Sequence, residues 1–385
     1  MTNRATTADV IVVGARVAGA ATALLLARAG LSVLVVDRAA PGTDTLSTHA
    51  LMRGGVLQLS RWGLLDELVR AGTPAIRRTT FRYSHADVPI TIKPSPGVDA
   101  LYAPRRTVLD PLLARAAVDA GATVRHGVRV LGVHRDHGRV SGIEDRDVDG
   151  RRFTATAPLV IGADGRRSVV ARAANAATTY QAINASGVAY GYWSGLADDG
   201  YEWAYRPGAA AGLIPTNDGQ TCVFAAAPPR WVGRGGRMVI DAIVAAASPE
   251  MAARVHAAGD PTMIRSFAGE PGYLRQAWGD GWALVGDAGS WKDPISAHGL
   301  TDALRDAELL ARAVIAVAGG CRERDALAEY EATRDRLTLP ILTAADEIAG
   351  FEWDDHRITE LLATLNASMA EELAVIGELD ASPVG

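Results

Sequence analysis

Gly14 and Gly19 are the first residues whose spacing could do chemistry. The stretch "IVVGARVAG" carries an apolar strand into one glycine and places a second five positions on. They are two of the three glycines of the G-x-G-x-x-G turn, which sets a pyrophosphate on a helix N-terminus. Gly14 makes the tight bend and Gly19 permits close packing of helix on strand. Arg16 replaces the middle glycine. Its side chain is expected to turn outward, leaving the Ala15–Arg16 backbone free, with its guanidinium able to lie along a phosphate. A second strand, "LSVLVVDR", ends in Asp37 and Arg38. Asp37 sits where a carboxylate can accept hydrogen bonds from an adenosine ribose.

Two distant segments have the same look. "PLVIGADGRRSVVAR" brings an apolar strand to Asp164 and Gly165. "GWALVGDAG" delivers Gly286 and Asp287; Pro294 then turns the chain, and a long helix begins near Gly299 and Leu300. A helix start of this kind offers free N–H groups and partial positive charge.

The elements that must position these loops follow from the pattern. "DVIVVG", "LSVLVVDR" and "GWALVGDAG" are short, wholly apolar strands of the kind buried in a parallel sheet. "GGVLQLSRWGLLDELVRAG" reads as one amphipathic helix closed by Gly72, "TVLDPLLARAAVDAG" as another, and "ATVRHGVRVLGVHRD" as strand. The aromatics Tyr190, Tyr192, Trp193, Tyr201, Trp203 and Tyr205 alternate, which puts several on one sheet face. That face suits either core packing or a pocket for a large apolar or aromatic substrate.

The chain has 385 residues, 48% of them hydrophobic, enough for two or three domains or one two-lobed enzyme. A net charge of -5 gives no reason to expect nucleic acid. Cys222 and Cys321 lie far apart, so neither a disulfide framework nor a zinc site is expected. Residues 9–36 are apolar, but Arg16, Arg28 and the glycines at 14, 19 and 30 fit a strand-helix-strand unit better than a membrane span. No basic segment with a cleavage site precedes it, and a cytoplasmic protein is expected. No histidine-carboxylate cluster has ligand spacing, so no metal is expected. Glu352, Asp354 and Asp355 read as a solvated face, and Lys292 as a surface-loop lysine.

The three motifs, in this order, resemble the FAD-dependent monooxygenases of the p-hydroxybenzoate hydroxylase type, which share the glutathione-reductase-like fold. The resemblance spans about residues 8–335. It implies an α/β protein: a Rossmann-like FAD-binding domain with an inserted mixed β-sheet substrate domain and a helical C-terminal segment. The corresponding boundaries are 1–76, 99–179 and 268–335 for the FAD domain, 77–98 and 180–267 for the substrate domain, and 336–385 for the helical segment. It also implies that Arg53 precedes the first long helix after the turn, that Arg106 in "RRTVLDPLL" contacts FAD, and that Val130 lies near the adenine. Asp287 would bond the ribityl hydroxyls, and the helix from Gly299 would face the flavin pyrimidine edge. The DG segment would help position the electron donor or the cofactor backbone.

The chain departs from the family at Ala297-His298-Gly299-Leu300-Thr301, where G-Q-G and then Asn are usual. His298 is either a hydrogen-bond donor to flavin or peroxide, or a helix-start residue satisfied by backbone. His49, before the Arg53 helix, carries the same two readings. The expected activity is hydroxylation or epoxidation of an apolar or aromatic small molecule through a flavin C4a-hydroperoxide. O2 is consumed, and NADPH or NADH binds transiently or a separate flavin reductase supplies electrons. A C=C reductase resembling the geranylgeranyl reductases is the alternative. A halogenase ranks lower, because only Ile214-Pro215 remains of W-x-W-x-I-P, and a non-catalytic binding protein on this fold is the last reading.

Overall fold

A computed structural model describes residues 6–146, 152–196 and 199–379. Its central sheet has six strands in the order Trp278–Gly279, Trp282–Leu284, Leu159–Gly162, Val10–Val13, Val33–Asp37 and Thr123–His126. All neighbours are parallel except the first pair. Strands covered on both faces need apolar residues at every position, and Val10–Val13 and Leu159–Gly162 are buried throughout.

The helices are α1 (Val17–Arg28), α2 (Arg53–Arg61), α3 (Leu65–Arg70), α4 (Arg106–Asp119), α5 (Val169–Ala174), α6 (Pro229–Val232), α7 (Arg237–Ala247), α8 (Pro249–Ala257), α9 (Gly299–Ala318), α10 (Glu323–Gly350) and α11 (Asp355–Glu378). Side chains of α1, α4 and α9 cover one face of the central sheet. A four-stranded sheet containing Arg129–Asp136 and Arg139–Arg146 covers the other, packing Val130, Val140 and Ile143 on Ile11, Val13 and Val36.

The second large sheet has seven strands, ordered Ile264–Phe267, Gly187–Ser194, Gln220–Ala227, Ala209–Pro215, Tyr201–Arg206, Arg78–Arg82 and Asp87–Thr91. One face buries Tyr190, Tyr192, Tyr201, Trp203 and Tyr205. Trp193 points to the opposite face and packs with Ile240 and Val244 of α7 and Met251 of α8. The alternation in the sequence therefore sorts the aromatics as expected. Residues of α10 and α11, including Ile341, Ile348, Leu361 and Leu365, close over the aromatic side. The α/β class with mixed sheets and C-terminal helices is the one expected.

Two local readings change. The amphipathic stretch after Arg53 is two helices, because the chain bends at Gly63 (φ 76°) after the buried Trp62. The stretch 123–136 is two strands. Gly127 (φ 72°) lets the chain leave the central sheet at His126 and enter the four-stranded one at Arg129. Among the described residues no helix is long and apolar enough to cross a membrane.

The first turn is fixed by close approach. A Cβ on Gly19 would lie 1.8 Å from the Gly14 carbonyl oxygen, whereas one on Gly30 (φ 85°) would meet nothing within 4 Å. Gly19→Ala should therefore destabilise by about 3 kcal/mol or more through overpacking. Gly30→Ala should cost only about 1–2 kcal/mol of backbone strain. Urea unfolding midpoints measure the difference, and equal midpoints would remove the close-packing argument.

Candidate active site

The three motif loops meet because their strands are neighbours. Gly14 N–H donates to Val36 O (2.8 Å), Ala163 N–H to Val13 O (2.8 Å) and Val285 N–H to Gly162 O (3.0 Å). The loops leave the same end of the sheet and touch. A Cβ on Gly14 (φ 108°) would sit 2.4 Å from Ala163 O, and one on Gly286 (φ 59°) 2.9 Å from the Ala18 side chain. Gly14, Gly19, Ala163, Asp164, Gly286 and Asp287 thus line one crevice, the ligand position at the carboxyl ends of parallel strands.

The side chains at this crevice have specific partners. Asp37 accepts from Ala15 N–H and from Ala39 N–H, both at 2.7 Å, so its carboxylate braces the turn. Arg16 is half-buried rather than turned out. Its Nη1 stands 3.9 Å from Asp110 and has no hydrogen-bond partner. Arg106 opens α4 and grips Asp110 with two bonds of 2.7 and 3.0 Å. Arg38 is exposed beside them. Asp164 accepts from Val169 N–H (2.6 Å) at the start of α5, and its other oxygen is buried without a partner. Burial pushes its carboxyl above the usual range.

Burial also raises Asp287, to about 6, against the opposing pull of the Arg166 and Arg106 charges. Pro294 begins a single turn capped by Asp293, and Ala297 leaves it with φ 50°. Gly299 is exposed, and a Cβ there would meet nothing within 4 Å, so the start of α9 faces open space. Leu300 is buried in the core beneath.

Arg53 opens α2 beside the start of α9, where Met52 N–H donates to Thr301 Oγ1 (3.0 Å). Arg53 donates to Lys93 O (2.9 Å) and Ser95 Oγ (3.0 Å), tying α2 to the segment after the seven-stranded sheet's edge strand. Val130 is buried under the ends of the Val10–Val13 and Val33–Asp37 strands.

Both candidate histidines are buried, at 1% exposure. His49 holds φ 68°, a costly conformation for a non-glycine residue and one that clusters at functional sites. Its Nε2 makes a short hydrogen bond with the Tyr192 hydroxyl, and the rings stack at 5.7 Å. Arg105 lies 3.7 Å over the same Tyr192 ring. Burial first, then the charges of Arg105, Arg106 and Arg265, keep His49 well below the ordinary imidazole range. Sequence reasoning missed Tyr192 as a partner of His49, although its place in the alternating aromatics was visible.

His298 caps nothing with its side chain. Its Nε2 meets both Glu372 oxygens, at 3.0 and 3.2 Å, across from α11. Glu372 also binds Arg305 Nη1 (2.6 Å), which reaches Asp302 (2.8 Å), and Arg305 Nη2 reaches Asp306 (2.6 Å). Lys292 corrects an expectation: it is no surface lysine but buried, 2.8 Å from Asp302. Its ammonium lies against the Asp302 carboxylate beneath the loop. His298, Asp302 and Glu372 bring ligand-type atoms within 4.8 Å of one another. Arg305 and Lys292 already occupy those carboxylates. Glu372 carried no sequence signal, but Asp302, Arg305 and Asp306 fall on one helical face and could have been read as a buried charge set.

The crevice fits a dinucleotide flavin. It has glycine backbone where a side chain could not go, a half-buried Arg16 guanidinium whose Nη1 has no hydrogen-bond partner, a carboxyl raised by burial, and a helix start facing open space. A profile of the family described as FAD binding domain matches residues 7–344. The chain belongs to that family. This flavoprotein is an FAD-dependent oxidoreductase.

It is similar to a menaquinone reductase of Mycolicibacterium smegmatis, 37% identical over 170 residues. That alignment spans 43% of the chain and 40% of the relative. A digeranylgeranylglycerophospholipid reductase of Methanocella arvoryzae is 26% identical over 95% of the chain and 98% of the relative. The aklavinone 12-hydroxylase RdmE of Streptomyces purpurascens is 33% identical over 42% of the chain and 34% of the relative. Among solved structures, a flavin-dependent brominase superposes with a TM-score of 0.81 at 20% identity, over 97% of this chain and 94% of that one. At that identity the likeness is one of fold.

Asp287 and Asp293 are both raised from 3.8 to about 6, chiefly by burial. A carboxyl whose folded pKa is raised contributes stability that is full below the unfolded value and lost as pH rises through the folded one. The cofactor-free protein should therefore lose stability between about pH 4 and pH 6. Asp287→Asn should flatten that decline by at most about 3 kcal/mol, leaving the shares of Asp293 and Asp164. Thermal melts across this range check it, and an unchanged slope would contradict it.

Proposed function

We propose that the protein is a monooxygenase that inserts oxygen into an apolar or aromatic small molecule. The observation carrying this reading is the buried aromatic face formed by Tyr190, Tyr192 and Trp203. It packs with Ala50 and Met52 before α2 and with Ile295 and Ala297 from the third motif loop. The substrate sheet and the crevice loops thus share one apolar cluster. A dry wall of this kind excludes water from a reactive centre and suits a planar ring.

Bound FAD supplies two-electron reduction and O2 activation, and the protein supplies orientation and electrostatics. Arg16 would hold the pyrophosphate, Asp287 would accept from the ribityl hydroxyls, and the free N–H groups of α9 would be available to the flavin ring. Arg106, bonded to Asp110, acts through its charge on Arg16, His49 and Asp287 together. His49 and Tyr192 form the polar point of the wall. NADPH or NADH, or a separate flavin reductase, delivers the electrons.

A second reading is a flavin-dependent C=C reductase. It is favoured by the end-to-end alignment with a digeranylgeranylglycerophospholipid reductase.

Oxygen uptake with incorporation of 18O from labelled O2 into an apolar aromatic substrate is the expected result. Anaerobic reduction of an alkene without oxygen incorporation would establish the second reading instead. Asp287→Ala should weaken FAD binding about 10- to 100-fold through loss of charge-assisted hydrogen bonds, measured by flavin fluorescence titration. Undiminished affinity would remove Asp287 from the site.

A further inference from the structure

Helix α7 is apolar on both of its faces. Ile240, Ile243, Val244 and Ala247 are buried against the back of the seven-stranded sheet. The opposite side carries Met238, Ala242, Ala245 and Ala246, all exposed, with Met238 at 85%. A surface helix ordinarily turns charged or polar residues to solvent. The only charged side chains of α7, Arg237 and Asp241, bond each other (2.7 Å). Beside it, the single turn α6 holds Trp231 outward at 56% exposure. Trp231, Met238, Val239, Ala242 and Ala246 line one groove of about 300 Å³.

The fold fixes this presentation. Val232, next to Trp231, is buried in the core behind the sheet, and the Trp231 ring lies over Gly208, where a Cβ would come within 3.2 Å of it. The Arg234 carbonyl accepts from Ser266 Oγ (3.1 Å). Arg230 holds its guanidinium 5.6 Å from the Trp231 ring, and Arg234 follows in the same loop. Both arginines are exposed, and among the described residues neither has an ion pair. An apolar groove beside unpaired cations is a surface built to be covered.

We propose that this face docks on the surface of an anionic phospholipid bilayer. Arg230 and Arg234 lie against headgroup phosphates, and Trp231 and Met238 sit where headgroups meet acyl chains. Indole favours that depth, having an apolar body and one N–H. Anionic headgroups attract arginine within a Debye length, about 8 Å at physiological salt. The local pair therefore counts although the whole chain carries -5. Two other covers fit less well. A second copy of this chain, packed through a two-fold axis, would bring both arginine loops into one contact with no free carboxylate of α6 or α7 to meet them. A standard protein–protein interface carries about ten hydrogen bonds. The outer side of α7 offers methionine and alanine, and its one carboxylate is already bonded. A bilayer needs no directed bonds there. The proposal does not depend on which reaction the flavin performs.

Co-sedimentation of the full-length chain with lipid vesicles tests it. One set is equal parts phosphatidylglycerol and phosphatidylcholine, the other phosphatidylcholine alone. The expected result is stronger binding to the first set, weakening as salt rises to about 1 M, where the Debye length falls to about 3 Å. Arg230→Gln with Arg234→Gln should raise the lipid concentration for half-binding about 30-fold, about fivefold for each arginine. Lysine at both positions should keep most of the binding. Trp231→Ser with Met238→Ser should raise that concentration at least about tenfold. These positions are exposed and outside the crevice, so circular dichroism and bound flavin should match the parent.

Failure to bind the anionic vesicles overturns the proposal. So does equal binding to both sets, or glutamine and serine variants that bind like the parent. A dimer in sedimentation velocity that Trp231→Ser with Met238→Ser breaks would assign the face to a second copy instead.

Discussion

The structure depends on backbone meeting backbone where no side chain could stand. Gly14 packs against the Ala163 carbonyl, and Gly19 against the Gly14 carbonyl. These contacts hold the first helix and the second motif loop at van der Waals distance, and Gly286 brings in the third against Ala18. A parallel sheet sends all its strand ends to one side, so loops far apart in sequence become neighbours there. The crevice is a consequence of strand order, and the glycines determine how narrow it is. Asp37 adds to this by holding the Ala15 and Ala39 N–H groups, so that the turn keeps its shape through its own hydrogen bonds.

The second organising feature is electrostatic. Burying six ionisable groups beneath one helix is expensive, and removing one partner from such a network typically costs about 3–5 kcal/mol. The set bridges α9, which faces the crevice, and α11, which covers the aromatic sheet. A hydrophobic filling of equal volume would serve stability as well. The aromatic side of the large sheet shows a related division. Tyr190 is pushed up to about 12 and Tyr192 further still, mainly by burial, so both hydroxyls remain neutral donors and acceptors.

The α/β class and the three loops were legible because they rest on local signals. Fully apolar strands, glycines at strand ends and a helix start after Pro294 each leave a mark in a window of a few residues. The sorting of Tyr192 from Trp193 was legible for the same reason, since strand alternation has a period of two. The breaks at Gly63 and Gly127 were less legible. A glycine inside a periodic pattern does not announce whether it will take positive φ. The His298–Glu372 pair was not legible at all. Its partners are 74 residues apart, and Glu372 sits in an acidic helix that looks like any solvated one. Lys292 was misread for the complementary reason: a lone lysine between polar residues looks exposed until three carboxylates are folded around it and its neighbours. The bonds that Arg53 and Asp37 make within the fold were not legible either, because their partners are backbone and loop atoms that leave no sequence pattern.

Arg61, at the end of α2, donates to the carbonyl oxygens of Ile376 (2.5 Å), Gly377 (2.8 Å) and Leu379 (3.2 Å), securing the far end of α11. Of the described elements, α11 is the last to leave the ribosome. Until it docks, Arg305 and His298 lack the carboxylate that joins them, and part of the aromatic sheet has no cover. The motif loops can therefore meet before α11 docks, while the buried charge set beneath α9 is completed only once Arg61 has clamped that helix.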